Sequence, residues 1–422
     1  MLKKKRFLAV SAIMLGFVSV ARSLCGADAV ALPAPSGDPA DLVSHYRGGP
    51  ATAADFAEIA KLAGLPALTR EAGDGDYLLK PPYAPPPEQT VRPEVPKGKL
   101  VQLTLSAAES KFYPNTGLRD WKPTRSVTVY IPSQYVPGTR APLLLTHDAM
   151  GSRNNQLATV LDNLIADHRL PAMVAVMVAN GGGDARGSER GLEYDTVSGK
   201  FAEFIEAEVL PRVEQECHVT LTRDPEGRAT MGASSGGAAA FTMAWFHPEW
   251  YRRVLTYSGT YTDNQTPENP ALPHGAWEYH ERLVPQNALK PLRVWLEVGE
   301  NDNGSKHAAA DLHNWVIANQ RMAGVLKAKG YHYQFIYALG AGHTDGKVIA
   351  QTLPQALEWL WQGYKPASDG PPACRHFGRD PDLGEHVLGA SLSLWLRFKV
   401  VIQSIFSSVK NSCPPRPGSF VE

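Results

Sequence analysis

Gly232-Ala233-Ser234-Ser235-Gly236-Gly237 follows the apolar run Ala229-Thr230-Met231. It leads into the small-residue run Ala238-Ala239-Ala240-Phe241-Thr242-Met243-Ala244-Trp245. A strand, a sharp turn and a helix are the context in which G-x-S-x-G presents a serine hydroxyl at the head of a sheet. The spacing has a steric cause. For Ser234 Oγ to stand clear of the backbone, the turn must be strained and its two limbs must pass close together. Gly232 and Gly236 remove the Cβ atoms that would prevent this. The N–H of Ser235, first in the following helix, then faces the place where an oxyanion would form. A chain with 37 glycines can match such a pattern by chance, so the flanking pattern and the downstream residues must decide.

Working outward, apolar strands alternate with amphipathic stretches. Leu143-Leu144-Leu145 reads as a fully buried strand. Leu157, Val160, Leu161, Leu164 and Ile165 then follow helical spacing. Residues 172–179 read as the next strand. A helix follows with Phe201, Phe204, Ile205 and Val209 on one stripe, and Pro211 is expected to stop it. After the elbow, strands are expected at 253–257, 292–298 and 333–338. Helices are expected at 306–329, closed by Gly330, and at 354–362, with Pro354 in its first turn. This alternation predicts an α/β fold: a mostly parallel central sheet covered by helices on both faces. Residues 100–105 and 125–131 alternate in polarity and are expected as antiparallel neighbours at the N-terminal edge.

In such a sheet the chemistry gathers at the carboxyl ends of the strands. A serine elbow should be followed in the chain by an acid and then a histidine. Gly299-Glu300-Asn301-Asp302-Asn303-Gly304 and Gly340-Ala341-Gly342-His343-Thr344 are glycine-bearing loops at the correct strand ends. Ser234, Asp302 and His343 therefore come in the expected order. A serine hydroxyl attacks only when a base removes its proton. His343 would be that base, and Asp302 would hold its tautomer and stabilise the imidazolium. Glu300 and Asp345 are the rival acids, and Asp302 is preferred because the Gly-x-x-Asp loop carries its carboxylate past the turn. A second oxyanion donor is expected from the loop Thr146-His147-Asp148-Ala149-Met150-Gly151, from Met150 before Ala149. His147, beside a buried strand end, reads as a structural residue. Arg190 and Glu193 are expected on a loop near the pocket mouth, as an ion pair or, for Arg190, as a substrate contact.

Beyond the catalytic part the sequence suggests appendages. Lys3-Lys4-Lys5-Arg6 precedes an apolar run from Phe7 to Ala21, with small-residue cleavage sites after Ala21 and Ala27, the pattern of an export signal over 1–27. Arg22-Ser23-Leu24 before Cys25 lacks the small residues that a lipid-attachment site needs. Residues 28–95 form an extension with weak helical spacing over 36–66 and a Pro-rich linker over 80–87, and the catalytic domain is expected over 96–365. The tail, 366–422, carries enough apolar residues for an amphipathic helix. It would lie on the domain or associate weakly with a membrane surface. Cys374 and Cys413 could pair in an exported protein, and Cys217 reads as a small core residue. Lys+Arg and Asp+Glu number 42 each, which gives no electrostatic footprint for nucleic acid. Neither C-x-x-C nor H-E-x-x-H occurs, so the sequence implies no metal site and no cofactor.

Several stretches together resemble one family. They are Pro96-Lys97-Gly98, Val129-Tyr130-Ile131-Pro132-Ser133-Gln134-Tyr135, Arg190-Gly191-Leu192-Glu193-Tyr194-Asp195, Glu208-Val209-Leu210-Pro211, Gly299-Glu300-Asn301-Asp302, Gly342-His343 and Trp359-Leu360-Trp361. With the elbow, they make residues 95–364 similar to secreted serine esterases of the enterochelin-esterase-like group, related to esterase D and the mycolyltransferase antigens. The resemblance implies an α/β-hydrolase fold and metal-free hydrolysis of a small-molecule ester. It also implies Ser234, Asp302 and His343 as the triad, with Met150 beside Ser235 as oxyanion donors, in a secreted or periplasmic protein. The family's usual Asp-Gly is Asp148-Ala149 here, which makes a differently shaped hole expected, because alanine resists a positive φ. An acyltransferase using the same triad and a non-catalytic envelope protein are the competing readings.

Overall fold

The computed structural model describes residues 50–366 apart from Ala149, Met150, Ala185 and Thr266. Its strands, in chain order, are β1 (Gly75–Leu79), β2 (Lys99–Ser106), β3 (Thr124–Ile131), β4 (Arg140–Ala141), β5 (Leu143–His147), β6 (Val174–Val178), β7 (Thr220–Leu221), β8 (Arg228–Ala233), β9 (Arg253–Tyr257), β10 (Arg293–Asn301) and β11 (His332–Gly342). β4 and β7 pair by themselves. The other nine form one sheet in the order β1-β11-β10-β9-β8-β5-β6-β3-β2. Neighbours run parallel except at β2–β3 and β3–β6, so within this sheet β3 alone runs against the rest. The expected antiparallel edge is therefore present, and the parallel centre puts the ends of β8, β9, β10 and β11 side by side.

Two cores sit on the two faces. Successive side chains of a strand point to opposite faces. Leu143 and Leu145 of β5 enter one core while Leu144 enters the other, and Val174, Val176 and Val178 separate from Ala175 and Met177 in the same way. The helices Ser235–Phe246 and Trp315–Lys329 cover the first face. The helices Gly151–Ala166 and Gly346–Trp361 cover the second. This is the two-sided α/β arrangement that the alternating pattern predicts, and it agrees with the α/β-hydrolase fold that the resemblance implies.

Five details differ from the sequence reading. The fold does not begin at residue 96, because Gly75–Leu79 pairs with β11 as the edge strand of the same sheet. The stretch after it is docked rather than free: Tyr83 Oη donates to Leu339 O, and Asn163 Nδ2 donates to Glu88 O and Thr90 O at 2.8 and 2.9 Å. Pro211 does not stop its helix. The helical run passes through a π-helical turn, Ile205–Val209, into Leu210–Cys217, and Pro211 falls just after that turn, where the changed backbone pairing accommodates it. The long helix begins at Trp315 rather than near 306, capped by the Asn314 side chain on Ile317 N–H at 3.0 Å. Pro354 lies inside Gly346–Trp361. A proline there frees the carbonyl four residues earlier, and Gln89 Nε2 donates to that carbonyl, Ala350 O, at 3.0 Å. The expected export signal, the tail and Cys374 with Cys413 lie outside the described residues. Among those described, no helix is long and apolar enough to cross a membrane.

Candidate active site

β8 delivers its last residue, Ala233, into a one-residue turn at Ser234, with φ 57° and ψ −130°, and the helix Ser235–Phe246 starts at once. A backbone pose of this kind costs about 1–3 kcal/mol and persists only where the surroundings enforce it. Here they do. Ser234 N–H donates to Tyr257 O at 2.9 Å, and Thr260 N–H donates to Ser234 O at 3.1 Å. The glycines have the steric role expected of them. A Cβ on Gly232 would stand 2.2 Å from Gly236 O, and one on Gly236 would stand 3.0 Å from His147 Cβ. Ser234 itself is half-buried, within reach of solvent.

Asp302 follows the end of β10 and His343 follows the end of β11, so parallel pairing of these strands brings two distant loops together. His343 Nδ1 lies 2.6 Å from Asp302 Oδ1, and His343 Nε2 lies 2.9 Å from Ser234 Oγ. A carboxylate only accepts, so Nδ1 carries the proton and Nε2 is left to accept from the serine hydroxyl. The Asp302 side chain has 0% exposure and its charge is held by two further donors. Asn303 N–H donates to Oδ1 at 2.7 Å and Ser258 Oγ donates to Oδ2 at 2.6 Å. The rival acids are engaged elsewhere. Glu300 accepts the Gly340 N–H at 2.7 Å, and Asp345 caps the helix Gly346–Trp361 through Lys347 N–H at 2.8 Å.

Sequence reasoning missed Ser258, Thr260, Asn303 and Trp315, which surround these three. Ser258 Oγ also accepts the Thr344 N–H at 2.9 Å, tying Asp302 to the loop of His343. The Trp315 ring meets the His343 ring edge-on, with centroids 5.9 Å apart. The available signal was Ser258-Gly259-Thr260, small polar residues directly after the apolar strand β9, at the chemical end of the sheet.

Ser235 opens the elbow helix, and the first N–H groups of a helix have no helical acceptor. Its hydroxyl donates to Asp195 Oδ2 at 3.0 Å, which fixes the side chain. Burial pushes the Asp195 carboxyl up to about 7, against the pull of Arg190. Met150, expected as the second donor, and Ala149 lie outside the described residues. Among the described residues of this loop, Asp148 has a positive φ, 55°, which an aspartate tolerates better than most residues.

Arg190 and Glu193 are not at a loop mouth. Both lie on the short helix Glu189–Tyr194 and both are buried. Arg190 Nη2 and Nε donate to Asp148 at 2.7 and 3.0 Å, and Nη1 donates to Asp184 O at 2.8 Å. Glu193, with 0% side-chain exposure, is paired with Arg125 and accepts the Gly181 N–H at 2.9 Å. They do not pair with each other. Arg190 braces the loop after β5 through Asp148, and Glu193 neutralises a guanidinium in the core. His147 is structural, as its sequence context suggests. Its Nδ1–H donates to Met231 O at 2.9 Å, and burial holds its pKa down at about 4. The one group of possible metal ligands among the described residues, His274, Glu278 and Glu281, is partnered within itself and with Arg282.

The family described as "Putative esterase" matches residues 121–360. An uncharacterised protein of Bacillus subtilis (strain 168), YbbA, is 22% identical over 251 residues, 56% of this chain and 92% of that protein. Among solved structures, a ferulic acid esterase is 19% identical with a TM-score of 0.46, over 63% of this chain and 97% of that one. An enterochelin esterase from Shigella flexneri is 22% identical with a TM-score of 0.46, over 64% of this chain and 60% of that one. The family match spans more than half of the chain, from before β3 to the last helix. The chain, with its serine elbow on a mostly parallel sheet, therefore belongs to this esterase family and is a carboxylic-ester hydrolase.

Proposed function

We propose that the protein is an exported serine esterase that hydrolyses a small-molecule carboxylic ester through an acyl-enzyme on Ser234. What carries this reading is the unbroken contact from Ser234 Oγ to His343 Nε2 at 2.9 Å and from His343 Nδ1 to Asp302 Oδ1 at 2.6 Å. Ser234 Oγ attacks the ester carbon as His343 Nε2 takes its proton. The imidazolium so formed faces the buried Asp302 carboxylate, which stabilises it without itself being protonated. The carbonyl oxygen becomes an oxyanion held by Ser235 N–H at the helix start and by Met150 N–H, each such donor contributing ~3 kcal/mol to the transition state. His343 gives its proton to the departing alcohol. Water then repeats the sequence against the acyl-enzyme and releases the acid. The basic and apolar segments over residues 3–21 support export.

The test compares hydrolysis of a short p-nitrophenyl ester by the wild type and by Ser234→Ala. The reading expects a loss of at least about a thousandfold; equal rates overturn it. The same assay with added alcohol or sugar reads from its products whether water or another hydroxyl takes the acyl group.

A further inference from the structure

Ser234 Oγ has a second side-chain neighbour besides His343. Thr260 Oγ1 lies 3.5 Å from it, in the loop after β9. Thr260 is 1% exposed, and its hydroxyl accepts the indole N–H of Trp315 at 3.3 Å. Trp315 is fixed from several sides. Its backbone N–H donates to Asn303 O, next to the acid, at 3.1 Å. Asn319 Nδ2 donates both to Trp315 O and to Gly259 O, each at 2.9 Å, and so joins the helix to the loop that carries Thr260.

The donor inventory gives this chain a direction. An indole nitrogen only donates, and a carboxylate only accepts. His343 Nε2 takes the only proton of Ser234, so across the 3.5 Å contact Ser234 Oγ can only accept, and the Thr260 hydroxyl, which itself accepts from Trp315, is the donor there. Ser234, having accepted, gives its own proton to His343 Nε2, and His343 Nδ1–H goes to Asp302. The run Trp315, Thr260, Ser234, His343, Asp302 thus has one consistent proton arrangement, set from the Asp302 end and compatible with the indole donor at the other. It is the arrangement in which His343 is ready to act as base.

We infer that Thr260 is a further catalytic residue whose hydroxyl donates to the oxygen of the nucleophile, and that Trp315 positions that hydroxyl. This rests on the reading of Ser234 as the nucleophile. The contact is long while the serine oxygen is neutral, and catalytic hydrogen bonds commonly tighten only as charge develops. The step that gains most is breakdown of the acyl-enzyme. There the bond between Ser234 Oγ and the acyl carbon breaks and its electron pair returns to Oγ. His343 Nε2 delivers to Oγ the proton that it took from water, and the Thr260 hydroxyl stabilises the charge on Oγ until that proton arrives.

The experiment measures kcat and KM for a p-nitrophenyl ester in the wild type, Thr260→Val, Thr260→Ser, Trp315→Phe and Ser234→Ala. Thr260→Val keeps the shape and removes the hydroxyl. It is expected to lower kcat about tenfold with KM within about twofold, while Thr260→Ser stays within about twofold of the wild type. Trp315→Phe, which frees Thr260 from its donor, is expected to lower kcat severalfold. Wild-type kcat in Thr260→Val overturns the inference, as does a Thr260→Ser enzyme as slow as Thr260→Val, which points to packing alone. If Thr260→Val does not fold, Trp315→Phe decides, and wild-type kcat there is the overturning result. Activity in Ser234→Ala equal to the wild type overturns the nucleophile and the relay together. Activity that depends on Ser234 but ignores Thr260 and Trp315 overturns the relay alone.

Discussion

Ser258→Ala removes one oxygen from the centre of the site. Ser258 has φ 48° and no exposed surface. Alanine keeps the Cβ, so the backbone strain at this position is the same in both proteins, and the hydroxyl alone is tested. Two groups lose their partner. Asp302 Oδ2 loses a donor at 2.6 Å, and the half-buried Thr344 N–H loses an acceptor at 2.9 Å. A hydrogen bond to a charged group is worth about 1.5–3 kcal/mol, and a stranded buried amide costs about 1–3 kcal/mol. The two are not additive, and water reaches Thr344 in part, so the expected loss of stability is about 2–4 kcal/mol. For a domain of this size that lowers the thermal midpoint by roughly 3–6 °C. Because Thr344 adjoins the base, the loosened loop should also lower kcat by about tenfold, with KM near the wild-type value because Ser258 has no surface that substrate can touch. Thermal unfolding followed by circular dichroism and initial rates on a p-nitrophenyl ester measure both. A variant that melts and turns over like the wild type refutes the idea that this hydroxyl couples acid and base.

Three further predictions follow from the same geometry. In Gly232→Ala the new Cβ meets Gly236 O at 2.2 Å, a backbone contact that cannot yield, so turnover should fall more than about a hundredfold in whatever protein remains folded by circular dichroism; near-normal rates contradict the elbow sterics. Glu193→Gln strands the buried Arg125 charge and should lower stability by about 3–5 kcal/mol in urea unfolding while leaving KM unchanged; a shift in KM with normal stability would restore the place near the pocket mouth first expected for Glu193. His147 keeps a folded-state pKa of about 4 against 6.5 in the unfolded chain. Between those values the unfolded chain binds more protons, so stability is present above pH 6.5 and is lost as pH falls toward 4. His147→Gln should therefore lose about 2–3 kcal/mol less than the wild type between pH 7 and pH 4.5, and identical slopes refute the assignment.

What the sequence made legible was local. Ser234, Asp302 and His343 could be found because each lies in a glycine-bearing turn after a strand whose apolar run announces it. The two-sided core was legible because Leu143-Leu144-Leu145 has no polar face at all. What stayed hidden depends on partners far along the chain. Gly75–Leu79 becomes a strand only by pairing with Gln334–Ala338, and its own residues carry little signal. Pro354 looks like a helix start until Gln89 is seen to serve the carbonyl that it leaves bare. Arg190 and Glu193 read as a pair on a loop near the pocket mouth because their actual partners, Asp148 and Arg125, lie 42 and 68 positions away. Ser258 and Thr260 match no motif, and their chemistry exists only once β9 lies between β8 and β10.

The central claim is that the hydroxyl of Ser234 is made reactive by His343. Mass spectrometry after treatment with a fluorophosphonate tests it most directly. The account predicts a single covalent adduct on the peptide that carries Ser234, and no adduct at that position in His343→Ala over the same interval. Labelling at another residue, or labelling of Ser234 at the same rate without the imidazole, would contradict it.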